Sequence, residues 1–108
     1  MENESQSVFI EYFGSSPYIR ALDFLIQGQA FDYSMTEIAR GAGVGWGAFT
    51  KIWAYLLAKE MIIQTRTIGN AKLFTLNKKN PVVKKILQID MDLTKAATHI
   101  AFEKEQAA

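Results

Sequence analysis

TEIARGAGVGWGAFTKIWAYL, residues 36–56, decides the fold. Ser34, Met35, Thr36 and Glu37 open it with the S-x-x-E form of a capping box. The Ser34 oxygen takes the amide of Glu37, and Glu37 reaches back to the amide of Ser34. A short helix over Met35–Ala42 follows, with Gly43-Val44-Gly45 as the turn. A second helix runs from Trp46 to Lys59 and turns Phe49, Ile52, Trp53, Leu56 and Leu57 to one side. Two helices joined by so short a turn cross tightly and need small or apolar residues at fixed offsets. Ala39 is small where the second helix crosses, Gly43 suits positive φ, Val44 plugs the turn, and Phe49 and Ile52 anchor the second helix. The stretch reads as a helix-turn-helix.

The flanks extend the pattern. Met61–Ile68 and Ala71–Asn77 are strand-like, and Gly69-Asn70 between them is a two-residue hairpin turn whose residues both accept positive φ. Upstream, Phe9, Tyr12 and Phe13 recur at i, i+3, i+4, which suits a short helix over Val8–Phe13, with a strand as the alternative over so few residues. Ser16-Pro17 reads as a cap with proline at the first helical position. The helix Pro17–Gln27 turns Ile19, Leu22, Leu25 and Ile26 inward and ends at Gly28 as its C′ residue, and Phe31–Tyr33 suits a short strand. Downstream, Asn80-Pro81 starts a last helix expected to reach about Glu105. Ile86, Leu93 and Ile100 recur every seven residues, with Val82, Ile89 and Ala96 at the complementary positions. That is a coiled-coil seam of about three heptads. Val83, Leu87 and Phe102 widen the apolar face, so part of this helix is expected to pack on its own domain.

Charge is unevenly spread. Met1–Ala39 has one base against six acids, Arg40–Lys85 nine bases against one acid, and Ile86–Ala108 two bases against four acids. A formal net charge of +1 therefore hides a basic middle that attracts phosphate. The 108 residues fit one domain, and a hydrophobic content of 49% supplies a core. There is no cysteine, which excludes disulfides, thiolate metal sites and a Cys nucleophile and fits a reducing cytoplasm. No apolar run approaches the ~20 residues of a membrane span. Residues 1–7 are polar and acidic and lack the basic and apolar regions of a signal peptide; they are expected to be disordered. His99, the one histidine, has no cluster around it to hold a metal. Asp90 and Asp92 lie on different helical faces, and no nucleophile elbow, P-loop or GxGxxG occurs. Neither a cofactor nor an enzymatic activity is expected.

The strings TEIARGAGVGWGAFTKIWAYL and IIQTRTIGNAKLFTLN resemble the winged helix-turn-helix DNA-binding domains of archaeal and bacterial transcriptional regulators. With NPVVKK opening a long last helix, the chain looks like the small dimeric archaeal regulators. The resemblance implies a mostly α fold with a β-hairpin wing over residues 8–80 and a C-terminal dimerisation helix over 81–108. It implies a cytoplasmic homodimer that binds double-stranded DNA. The helix Trp46–Lys59 would enter the major groove, with Trp46, Thr50 and Lys51 near its start on the solvent side. Arg66, Asn70 and Lys72 in the wing would lie over the backbone or minor groove, and Lys78 and Lys79 would reach phosphate. The chain departs from the family at Gly45-Trp46-Gly47-Ala48, which offers few hydrogen-bonding side chains for base readout. Discrimination would then be modest, or rest on the wing and on DNA shape. Trp46 has two readings, against deoxyribose or a thymine methyl, or folded back on the wing or first helix, and the second is preferred. The alternative function is a winged helix kept as a protein-interaction module without DNA binding.

Overall fold

The computed structural model describes residues 6–107. Residues 1–5 of the tail expected to be disordered lie outside the described residues, while Ser7 is the N-cap of the first helix. Five helices and three strands follow in order: α1 (Val8–Phe13), α2 (Pro17–Gln27), β1 (Tyr33–Ser34), α3 (Met35–Ala42), α4 (Trp46–Ala58), β2 (Ile62–Ile68), β3 (Ala71–Leu76) and α5 (Pro81–Ala107).

Local chemistry sets the boundaries. Ser7, Ser16 and Ser34 each accept an amide of the first turn of α1, α2 and α3, and at Ser34 the full capping box forms with Glu37. Asn80 does the same for α5, accepting the amide of Val82 at 2.8 Å. Gly28 does not close α2 in the left-handed conformation, because its φ is −100°. Space is what requires glycine there, since a Cβ would come within 2.6 Å of the Tyr33 hydroxyl. The sheet is antiparallel in the order β1-β3-β2, with Tyr33 opposite Phe74 and Ile62 opposite Leu76. The register shifts between Gln64 and Arg66, so Thr65 is a bulge. The two-residue hairpin turn forms at Gly69-Asn70 as expected, with positive φ at Gly69 and not at Asn70, the φ pattern of a type II′ turn.

The core is built from the inner faces of α1–α4, the base of the sheet and one residue of α5. Leu25, Ile26, Ile38, Phe49, Leu56, Leu76 and Val83 are its largest fully buried side chains. Of the α1 aromatics expected to share a face only Phe9 enters the core, while Tyr12 and Phe13 stay about half exposed. Leu57, expected on the inner side of α4, is exposed as well. The heptad seam of α5 divides. Val83 is buried, and Ile86, Leu87 and Leu93 pack partly against the core, whereas Val82, Ile89, Met91, Ile100 and Phe102 are exposed.

Candidate nucleic-acid interface

The turn between α3 and α4 is built from several sources. Gly43 sits at φ 69°, ψ 35°, and its amide and that of Val44 return to α3. Arg20 of α2 closes the turn from outside. Its guanidinium donates to the carbonyls of Ala42 at 3.1 Å and Gly43 at 3.0 Å, and to that of Ser15. A cation is well placed against the carbonyl end of α3. Arg20 is the lone base of an acidic third of the chain, and that isolation was the only hint of its role. Ala39 is buried, as a small residue beneath the crossing of α3 and α4 should be, and between α2 and α3 Gly41 is the small residue, where a Cβ would overlap the Phe24 ring.

This turn presents the start of α4 to solvent. Gly45 caps the helix with no side-chain hydrogen bond, and a Cβ at Gly45 or Gly47 would meet nothing. Trp46, whose ring the sequence reading preferred to fold back on the wing or first helix, is 53% exposed. Its ring stacks on Phe49 of its own helix, with centroids 6.0 Å apart. Phe49 stacks in turn on Trp53, which meets Phe74 of β3 edge-on. Thr50 donates its hydroxyl back to the Gly47 carbonyl at 2.9 Å. Lys51 is exposed beside Tyr18, Ile52 and Tyr55, along an open groove between α2 and α4.

In the wing, Asn70 and Lys72 are exposed, and Lys72 lies opposite Thr67. Arg66 is held differently. It forms a two-pronged ion pair with Asp32, from Nε to Oδ2 at 2.9 Å and from Nη2 to Oδ1 at 3.1 Å. The bulged Thr65 also donates its hydroxyl to Asp32. These bonds hold the Asp32 carboxyl well below its ordinary value, at about 2, with the Arg66 hydrogen bonds as the largest cause. Residue type at Asp32 gave no sign of this pairing across 34 positions.

The remaining bases gather elsewhere. Asn77 donates to the Glu60 carbonyl and Asn80 to those of Lys59 and Glu60, bolting the chain after β3 to the C-terminal end of α4. Lys78 and Lys79 sit within that link, and Lys59 lies over the Tyr55 ring at 5.2 Å. The length of α4 puts this cluster about 20 Å along the helix axis from Trp46. The basic middle of the sequence is thus divided among the elements: Arg40 lies in the last turn of α3, Lys51 lies on α4, Arg66 and Lys72 are in the wing, and Lys59, Lys78, Lys79, Lys84 and Lys85 fall at the far end of α4, the link and the start of α5. Among the described residues no three His, Cys, Asp or Glu side chains come together, and no helix is long and apolar enough to cross a membrane.

No protein-family model matches the chain, and no curated protein is significantly similar to it. Solved structures are. The adhesin competence repressor AdcR from Streptococcus pyogenes gives a TM-score of 0.55 at 16% identity, over 79% of this chain and 65% of that one. The apo form of a variant of Lactococcus lactis ZitR gives 0.63 at 19% identity, over 91% and 79%. ZitR is a zinc-responsive MarR family member that has also been solved in complex with DNA. Sso10a-2, a DNA-binding protein from Sulfolobus solfataricus, gives 0.50 at 10% identity, over 82% and 92%. The chain spans just under two thirds of the length of AdcR. At these identities the likeness establishes the fold, a winged helix with a long C-terminal helix.

Proposed function

We propose that this chain binds double-stranded DNA as a homodimer and acts as a transcriptional regulator, with no enzymatic step. The observation that carries the reading is the start of α4, held outward by the capped α3, the left-handed Gly43 and the Arg20 clamp. A helix presented in this way fits the major groove. Trp46, Thr50 and Lys51 would face the bases there. Asn70 and Lys72, with Arg66, would lie over the backbone or minor groove, and Lys78 and Lys79 would meet phosphate farther along. The structures similar in fold include DNA-binding proteins, which supports the reading. The reading as a small archaeal regulator of the cytoplasm rests on the sequence resemblance, and the Sulfolobus DNA-binding protein, matched over 92% of its length, shares the fold.

Dimerisation would use Val82, Ile89 and Ile100, exposed apolar residues along one side of α5, together with the exposed Tyr12 and Phe13 of α1. Either an antiparallel or a crossed pair about a two-fold axis would set two α4 helices on successive major grooves, ~34 Å apart. The domain division into a DNA-binding part over 8–80 and a dimerisation helix over 81–108 follows from this arrangement, although Val83 and α1 join the two in one core.

Fluorescence anisotropy of a labelled mixed-sequence duplex at low and moderate salt tests the function. Binding should weaken with a log–log slope of about −0.9 per phosphate contact. Replacing Lys72 with Ala should flatten that slope by roughly one contact. No binding at low salt would instead favour a protein-interaction module. The shortage of free hydrogen-bonding groups at residues 45–50 is the observation on that side.

A further inference from the structure

Before Lys51, the exposed start of α4 offers a base edge an aromatic ring and little else. Gly45, Gly47 and Ala48 carry no polar side-chain atom, and the Thr50 hydroxyl proton is already given to Gly47. Trp46 is different. Its ring rests at 27° on Phe49, which is fully buried and stacked on Trp53 with centroids 5.6 Å apart. An exposed indole is thereby backed by a fixed aromatic column. On both sides of it in the chain, at Gly45 and Gly47, even a Cβ would find open space. The result is a rigid apolar surface with unobstructed flanks, on the helix end that fits the groove.

In the major groove such a surface complements one feature of the base pairs, the C5 methyl of thymine. A 5-methylcytosine presents the same group at the same ring position. We propose that Trp46 is a specificity-determining residue that reads the 5-methyl group of pyrimidines. The proposal rests on the DNA-binding reading above. Covering one methyl carbon is worth roughly a four-fold change in affinity.

The test compares full-length protein on three duplexes of one length and sequence. In the second, every thymine is replaced by deoxyuridine, which removes the methyl and keeps the pairing. In the third, cytosine is replaced by 5-methylcytosine. Anisotropy should show weaker binding to the deoxyuridine duplex, by roughly four-fold per methyl covered, and tighter binding to the methylcytosine duplex. Trp46→Ala and Trp46→Gln, checked for folding by circular dichroism, should bind all three alike. Equal wild-type affinity for the thymine and deoxyuridine duplexes would overturn the methyl reading and leave DNA binding standing. Variants that keep the wild-type preference would assign it to DNA shape and overturn the proposal too. No binding to any duplex would overturn the DNA reading itself.

Discussion

Asp32 shows how a single carboxylate changes the meaning of a basic wing. The Arg66 side chain is 62% exposed but the Asp32 side chain only 16%, so the arginine reaches inward to a carboxylate held in place by Thr65. Because the folded carboxyl titrates at about 2, below its ordinary 3.8, the latch is complete above that ordinary value and lost as pH falls through about 2. NMR titration of the Asp32 carboxyl should therefore give a midpoint near 2. Replacing Arg66 with Ala should move that midpoint up toward the ordinary range, and an unmoved midpoint would mean the pair does not form in solution. Glu60 marks another local tension. It holds φ at 56° just after the C-cap of α4, where side chains other than glycine and asparagine are strained. Glu60→Gly should raise stability by up to about 1 kcal/mol in urea melts. A loss of stability would show that other contacts of Glu60 outweigh the strain. Gly47 is the opposite case, an exposed helical glycine with room for a side chain. Gly47→Ala should stabilise the fold by about 0.5–1 kcal/mol. If the helix backbone approaches DNA closely, the same change should weaken binding, so the two measurements would move in opposite directions.

Among the elements, the α3–α4 unit depends on a residue outside it. Arg20→Met keeps the aliphatic stem and removes the donors to Ala42, Gly43 and Ser15. A loss of about 1.5–3 kcal/mol is expected from thermal or urea unfolding, since hydrogen bonds from a charged group are stronger than neutral ones. The exposed setting favours the lower end. A change of only a few tenths would mean that water replaces the guanidinium without cost. The helix periods were legible because capping and apolar spacing are local. The bounds of α1, α2 and α3 match the expectation residue for residue. The first strand did not: Tyr33–Ser34 replaces Phe31–Tyr33, because pairing with Leu73 and Phe74, far along the chain, selects the register.

At the scale of the whole molecule, the proposed dimer rests on α5. The helix has 27 residues and is about 40 Å long, and the molecule measures 55 × 30 × 23 Å, so much of α5 extends from the compact part. Ile89 and Ile100 are already exposed in one chain, so Ile89→Glu with Ile100→Glu should leave a folded monomer. Light scattering after gel filtration would register the change, and a dimer as stable as wild type would place the seam elsewhere. The cysteine-free chain also allows a test of direction. In an antiparallel pair, a cysteine at Ala96 near the middle of α5 should join two chains through a short thiol crosslinker, whereas one at Val82 should not. A parallel pair would crosslink at both.

The sequence by itself determined the order of elements, the helix-turn-helix, the hairpin and the long last helix, because each follows from spacing, capping and turn chemistry within a few residues. It also located the bases, but only along the chain. Tertiary structure alone decided which of them stand together. Asn77 and Asn80 carry Lys78 and Lys79 to the far end of α4, and Asp32 claims Arg66. Burial of Phe49 leaves Trp46 resting on it and facing solvent. Those outcomes depend on side chains distant in sequence meeting in one place, and no local pattern encodes such a meeting.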